Sequence, residues 1–204
     1  MGEAQLPTHS SLRQRTRDAV RADITTAAVG LFLERGYDAT TIDDIAGAVG
    51  MSPRSVFRYF PTKEDIVVGK FAAGAERMLE VLRARPAEEQ PWLSLRRMFD
   101  VVDTAREPDI HALQQMIFGV PALLSVYLRT LHVTQARVAD ILIQRAAAAG
   151  QPYERDDPSP RALAAAAFGC LLAVQESQLD SEQDAELERL LDRTMNFVIP
   201  PIEP

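Results

Sequence analysis

The sequence lacks the features that mark several common protein classes. Cys170 is the single cysteine among 204 residues, which excludes an internal disulfide and any metal site built from several cysteines. No apolar run reaches the roughly 18–20 residues that a membrane-spanning helix needs. The polar N-terminal segment also lacks the apolar stretch of a secretory signal. We therefore predict no membrane partner and a cytoplasmic location.

Catalytic and cofactor-binding motifs are missing too. The chain has no His-Glu-x-x-His pair, no Gly-rich phosphate-binding loop and no serine in a nucleophile elbow. Its three histidines are scattered along the chain and have no ligand-like spacing. We therefore predict no enzyme activity, no metal and no cofactor, which leaves binding functions as the alternatives.

The charge of the chain is unevenly distributed. The net charge is −7, yet residues 1–70 hold nine basic and nine acidic side chains, whereas residues 71–204 hold thirteen and twenty. Within the neutral part, arginines crowd the start of the chain, at Arg13, Arg15, Arg17 and Arg21. An anionic partner is therefore expected to meet the N-terminal third.

The spacing of apolar residues predicts helices almost throughout the chain. A first helix is predicted over residues 12–34, ended by Gly36 in a left-handed conformation. Thr41 and Ser52 are suited to cap two short helices, because their hydroxyl oxygens can accept the free N–H groups of a first turn. Thr62 is expected to cap a long fourth helix. Further helices are predicted near 92–105, 109–118, 121–148, 160–178 and 183–198.

The two short helices, with a glycine in the turn between them, form a helix-turn-helix. If Val56 and Phe60 bury one face of the second short helix, then Arg54, Ser55 and Arg58 are left on the outside. A short helix presented in this way fits the major groove of DNA, where arginine can pair with guanine. The pattern therefore predicts base contacts from this helix.

The segment TTIDDIAGAVGMSPRSVFRYFPTKEDIV resembles the helix-turn-helix of the TetR family of transcriptional regulators. It is most similar to a subgroup with the signature Ser-Pro-Arg-x-x-Phe-Arg-Tyr-Phe-Pro-x-Lys-Glu. The resemblance implies phosphate contacts from Thr41, Ser52, Tyr59 and Lys63. The family often has a tyrosine where this chain has Phe57, whose ring cannot bond a phosphate, so Arg58 and Tyr59 are expected to replace that contact. The full predicted DNA-binding set is Thr41, Ser52, Pro53, Arg54, Ser55, Phe57, Arg58, Tyr59 and Lys63.

The resemblance implies an all-α protein with two domains. Residues 1–68 would form the arm and a three-helix DNA-binding domain, joined by a long helix to a helical effector-binding and dimerisation domain at 69–204. The helices near 160–178 and 183–198 are expected to form the homodimer, as a palindromic operator requires. Large apolar and polar residues fit either an ordinary core or a pocket for an apolar or amphipathic effector: Trp92, Phe99, Met116, Phe118, Tyr127, His132 and Cys170.

The predicted function is a ligand-responsive regulator of transcription, a repressor that binds a palindromic operator as a dimer and leaves it when a small effector binds. The alternative is a helical ligand-binding or protein-interaction module that has lost DNA binding. Phe57 and the overall acidity favour that alternative, whereas Arg54, Arg58 and Lys63 oppose it.

Overall fold

A computed structural model describes residues 12–102, 109–179 and 187–199, and every element in these ranges is helical. This confirms the predicted all-α fold. The α-helices are α1 (Leu12–Arg35), α2 (Ile42–Ala48), α3 (Pro53–Tyr59), α4 (Lys63–Ala84), α5 (Pro91–Met98), α6 (Asp109–Gly119), α7 (Pro121–Ala148), α8 (Ser159–Gln178) and α9 (Leu187–Val198).

The chain divides into two compact units, Met1–Lys70 and Phe71–Pro204. The first unit contains α1, α2 and α3, and the second contains α5 to α9. Helix α4 begins in the first unit and ends in the second. The division lies two residues beyond the predicted boundary between residues 68 and 69.

Helices α1 to α3 begin and end where local chemistry favours it. Thr41 caps α2 in a capping box: its hydroxyl accepts from the N–H of Asp44, whose carboxylate accepts from the N–H of Thr41. Ser52 caps α3 by accepting from the N–H of Ser55 at 3.2 Å. Gly36 follows α1 and Gly50 follows α2, and both have a positive φ, which costs glycine little because it has no Cβ. These helix boundaries agree with those predicted.

The first unit is held together by a small apolar core to which α1, α2, α3 and the first part of α4 contribute. The largest fully buried side chains there are Ile24, Phe32, Ile45, Phe60 and Ile66. Gly69 on α4 lies close to Phe60, since an added Cβ at Gly69 would be 3.0 Å from the edge of that ring. The core therefore fixes Phe60, the residue that follows α3, against α4.

The second unit is built around α8, which packs against α5, α7 and α9. Its core includes Leu95, Phe99, Leu113, Leu123 and Phe168. Helix α5 is shorter than the helix predicted over 92–105. It gives way to a 3₁₀ turn at Phe99–Val101, and Val102 leaves the helical region at φ −86° and ψ 70°. Two consecutive β-branched valines, which are poor helix formers, stand at that break. The predicted residues 103–105 and 183–186 lie outside the described residues.

Two buried arginines stabilise the second unit. Arg145 on α7 donates to the carbonyls of Leu82 and Pro86 and to the hydroxyl of Ser94. Arg96 on α5 pairs with three carboxylates, those of Asp100, Glu188 and Asp192. Since an unpaired buried charge is costly, these partners make both side chains stable inside the unit.

Across the described ranges, no single helix is long and apolar enough to cross a membrane. Helices α6 and α7 together have that length and composition, but they meet at an angle of 107°. Buried core helices also have this composition.

Candidate nucleic-acid interface

Helix α3 has one buried face and one exposed face. Val56 and the following Phe60 are buried in the first unit, as predicted. Arg54, Phe57 and Arg58 are exposed, and their spacing of three and four residues places them side by side on the helix. In the described part of the chain, neither Arg54 nor Arg58 forms an ion pair with a carboxylate. Within the described residues, both guanidinium groups are therefore available to a partner.

The start of α3 holds the predicted residues Ser52, Pro53 and Ser55. Pro53 occupies the first helical position, where its missing N–H had no partner to lose. The Ser52 and Ser55 hydroxyls share a hydrogen bond of 2.9 Å. Ser52 is exposed and Ser55 is half-buried. The cap therefore already uses part of the hydrogen-bonding capacity of both hydroxyls.

A cleft of about 410 Å³ lies between α1 and α3. The guanidinium of Arg58 is 5.5 Å from the centroid of the Tyr59 ring, and both side chains line the cleft. On the α1 side the cleft is lined by Arg13 and Arg17, together with Leu12 and Thr16. Three arginines and Tyr59 thus line one opening beside the exposed face of α3, and the positive charge of the arginines favours an anion near it.

Arg21 has a different role from the other N-terminal arginines with which sequence reasoning grouped it. Its guanidinium donates a hydrogen bond to the Tyr59 carbonyl and lies 4.1 Å from the centroid of the Phe60 ring. Burial, followed by the nearby charge of Arg17, lowers the pKa of Arg21. Arg21 therefore fastens the C-terminal end of α3 to α1. The only hint in the sequence is that Arg21 is one helical turn closer to the apolar part of α1 than Arg17.

Lys63 and Thr41 both have internal partners. The Lys63 ammonium donates to the carbonyls of Tyr37 and Thr40, at 2.9 and 3.0 Å, and lies 4.0 Å from the centroid of the Tyr37 ring. One of its three N–H groups is left for a phosphate. The Thr41 hydroxyl is bonded to Asp44. The phosphate contacts of Lys63 and Thr41 therefore stay predictions.

Comparison with known proteins agrees with this geometry. The sequence pattern of the bacterial regulatory proteins of the tetR family matches residues 24–68. The pattern of the MftR C-terminal domain matches residues 76–203. The HTH-type transcriptional regulator TcmR of Streptomyces glaucescens is 30% identical over 193 residues, which cover 90% of this chain and 83% of TcmR. The chain belongs to the TetR family. It is a DNA-binding regulator of transcription.

Solved structures of other regulators share the fold. The fatty acid degradation regulator FadR of Bacillus halodurans matches with a TM-score of 0.61 at 19% identity, over 90% of this chain and 96% of that one. FadR of Thermus thermophilus, a repressor solved with lauroyl-CoA, matches with a TM-score of 0.56 at 20% identity, over 90% and 95%. At these identities the likeness shows the fold alone. The C-terminal pattern also supplies a match for the two-thirds of this TetR protein in which no motif was recognised from the sequence.

Two of the predicted effector residues lie together in the second unit of this TetR protein. The rings of Phe118 and Tyr127 are 6.1 Å apart between centroids, and the Tyr127 hydroxyl donates to the Gln175 side chain at 2.9 Å. Burial raises the pKa of Tyr127 to about 12. Phe71 packs edge-on against the same tyrosine. This aromatic cluster thus contains one buried polar pair, Tyr127 with Gln175.

The other predicted effector residues have varied surroundings. Phe99 packs edge-on against Phe168, with centroids 5.5 Å apart, and Trp92 donates its indole N–H to the Met195 carbonyl at 3.3 Å. Cys170 is buried, Met116 is half-buried and His132 is exposed on α7. Phe99 and Trp92 therefore have core partners. No contact described here distinguishes core from pocket for the set as a whole, so the effector assignment stays a prediction.

Proposed function

We propose that this TetR-family protein is a repressor that binds a palindromic operator as a dimer and is released by a small apolar or amphipathic effector. The observation that carries the proposal is the exposed face of α3, where Arg54 and Arg58 flank Phe57 and no carboxylate in the described residues pairs with them. Such a face suits the major groove. A regulator of this kind acts where the DNA is, so we expect it in the cytoplasm.

We also propose the contacts within the operator. Arg54 pairs with a guanine in bidentate fashion, with Ser55 and Arg58 beside it. Ser52, Tyr59, Thr41 and Lys63 contact phosphates. For Tyr59 the proposal is supported by its place in the arginine-lined cleft between α1 and α3. These roles follow the subgroup whose recognition helix reads Ser-Pro-Arg-x-x-Phe-Arg-Tyr-Phe, the order found from Ser52 to Phe60.

The proposed dimer forms through α8 and α9. On α8 the larger apolar side chains Phe168, Leu171 and Val174 are already buried inside the protomer. The exposed side of α8 carries small residues, which let two helices approach closely: Ala162, Ala165, Gly169 and Ala173. On α9, Phe197 is 87% exposed. These two surfaces have the small and apolar character that a four-helix contact between two protomers requires.

The proposed effector is apolar or amphipathic because the second unit is acidic, with thirteen basic and twenty acidic side chains in residues 71–204, so an anion would meet an unfavourable potential there. Arg96, the buried arginine nearest the predicted pocket residue Trp92 in sequence, is already paired with Asp100, Glu188 and Asp192. The aromatic cluster around Tyr127 supplies apolar contacts and the Tyr127–Gln175 pair supplies polar ones. That is the composition of a typical small-molecule site.

The test is to select an operator from a random DNA pool and to measure its affinity at several salt concentrations. Wild-type protein should show an affinity that falls steeply with salt. Arg54→Ala should lose roughly tenfold or more on the selected operator and relax the sequence preference, because one bidentate contact is worth about 1–3 kcal/mol.

Arg155→Ala, which removes an exposed arginine from the loop between α7 and α8, is the matched control and should leave affinity unchanged. An equal loss for Arg54→Ala on every DNA sequence would contradict base readout. If wild-type protein bound no DNA in a salt-dependent way, the chain would instead be a helical binding module without DNA recognition.

A further inference from the structure

Phe57 stands out on the surface of the first unit. Among residues 12–70, the exposed large apolar side chains are Leu12, in the first turn of α1, and Phe57, which is 49% exposed in the middle of α3. Its neighbours along the helix, Val56 and Phe60, are buried. Because Phe57 lies on the helix proposed to enter the major groove, DNA binding would cover its ring, and covering apolar surface lowers the free energy of the complex.

The side chain of Phe57 cannot make the polar contacts that surround it. It has no donor for a phosphate oxygen and none for the edge of a base. The major groove offers one apolar group, the methyl of thymine, and contact with that methyl is how apolar side chains read sequence there. Arg54 and Arg58 lie beside Phe57 on the same exposed face, so a groove deep enough for the arginines also receives the ring.

We propose that Phe57 is a specificity-determining residue that reads the methyl group of a thymine in each half of the operator. This inference rests on the proposed DNA-binding role of α3. It also limits where the thymine lies. Phe57 is three residues from Arg54, or about 4.5 Å along the helix axis, and base pairs are about 3.4 Å apart. With α3 lying along the groove, we therefore expect the thymine one or two base pairs from the guanine that Arg54 reads.

The methyl contact can be tested without disturbing the protein. In the selected operator, each thymine of a half-site is replaced in turn by uracil, which removes the methyl and leaves base pairing intact. Fluorescence anisotropy at one fixed salt concentration then gives the affinity of the wild-type protein for each DNA. We expect one thymine per half-site whose replacement weakens binding roughly three- to tenfold, the size of one buried methyl group on each contact.

Two variants assign that methyl to Phe57. Phe57→Ala should bind the thymine and uracil operators equally well, because the ring that senses the methyl is gone. Phe57→Tyr keeps the ring and should keep the discrimination. Leu128→Ala, which trims an exposed leucine of α7, is the control and should discriminate as the wild type does.

Two results would overturn the inference. One is a wild-type protein that binds every uracil-containing operator as tightly as the thymine form. The other is a Phe57→Ala variant that still prefers the thymine operator over the uracil operator. That result would arise if the variant lost affinity for both DNAs by the same factor, as it would if Phe57 packed against the sugar-phosphate backbone. If no DNA sequence were enriched at all, the DNA-binding role itself would fail, which is a different outcome from an enriched operator that is blind to the methyl.

Discussion

At the scale of single residues, Arg17 and Arg21 illustrate two uses of arginine one helical turn apart. Arg17 is exposed and lines the cleft beside Arg58. Arg21 is half-buried, bonded to the Tyr59 carbonyl and stacked on the Phe60 ring. A charge free to meet a phosphate adds to the salt dependence of DNA binding, whereas a charge fixed to the protein interior positions the recognition helix.

Substituting these arginines should therefore affect binding differently. Arg17→Met should weaken binding to all DNA sequences alike and reduce the slope of log affinity against log salt by about one for each bound protomer. Arg21→Met should weaken binding while leaving that slope unchanged, and it should lower the free energy of unfolding by about 1–2 kcal/mol, because a hydrogen bond and a cation–π contact are lost. Anisotropy titrations across salt and urea unfolding measure both quantities. A reduced slope for Arg21→Met would place Arg21 on the phosphates instead.

At the scale of elements, α3 depends on its cap because seven residues are too few for a helix to persist alone. Ser52→Ala should lower the free energy of unfolding by about 1 kcal/mol, whereas Ser52→Gly should cost only a few tenths, since glycine is itself a tolerable N-cap. The pair separates capping from phosphate binding. If the hydroxyl contacts a phosphate, Ser52→Gly loses DNA affinity despite near-normal stability. Unaltered affinity in Ser52→Gly would remove Ser52 from the set of phosphate contacts.

The carboxylate of Glu89 holds the loop between α4 and α5 in place. Its carboxylate accepts from Arg85 and from the Ser94 hydroxyl, and Ser94 also accepts from the buried Arg145. The hydrogen bond from Arg85 lowers the pKa of Glu89 to about 2. The pKa of a glutamate in an unfolded chain is about 4.3. The pKa of Glu89 is therefore lower in the folded protein than in the unfolded chain. The ionised carboxylate stabilises the fold fully at pH values above the unfolded pKa, and this stabilisation is lost as the pH falls toward 2.

Glu89→Gln should therefore destabilise the protein at pH 7 by about 1.5–3 kcal/mol, the value of a hydrogen bond to a charged group. The difference from wild type should shrink as the pH is lowered from about 5 toward about 2. Thermal unfolding across that pH range measures it, with Glu88→Gln on the exposed side of the same loop as the control. A difference that stayed constant with pH would mean that the charge of Glu89 contributes nothing.

The elements were predictable where their ends depend on neighbours in sequence. Thr41, Ser52 and Gly36 act on N–H groups or dihedral angles within a few residues, so the boundaries of α1 to α3 could be derived from the sequence. Arg21 and Lys63 could not be assigned in that way, because their partners lie 38 residues and 23–26 residues away along the chain. Such contacts exist only once the helices have packed.

At the scale of the whole molecule, two recognition helices must reach successive major grooves about 34 Å apart, which a single protomer cannot do. The dimer proposed above relies on the apolar surface that each protomer leaves uncovered on α9. One face of α9 packs into the protomer core through its buried residues Leu187, Leu191 and Met195. Leu190 and Phe197, seven residues apart, lie on another face and are half-buried and exposed. In a two-fold dimer the interface would bury both copies of each such side chain, one from each protomer.

Phe197→Asp should therefore separate the protomers. Burying one phenylalanine contributes about 1.5–3 kcal/mol, so the two copies lost together should raise the dimer dissociation constant by roughly a hundredfold or more. Sedimentation velocity over a concentration series measures that constant, and circular dichroism should show unchanged helix content. Ile143→Asp, at an exposed position of α7, is the matched control and should leave the dimer intact.

Binding to a single half-site should survive in Phe197→Asp while the added affinity of the full palindrome disappears, because the two half-sites are then no longer linked. A Phe197→Asp protein that still sedimented as a dimer would show that the protomers associate through another surface.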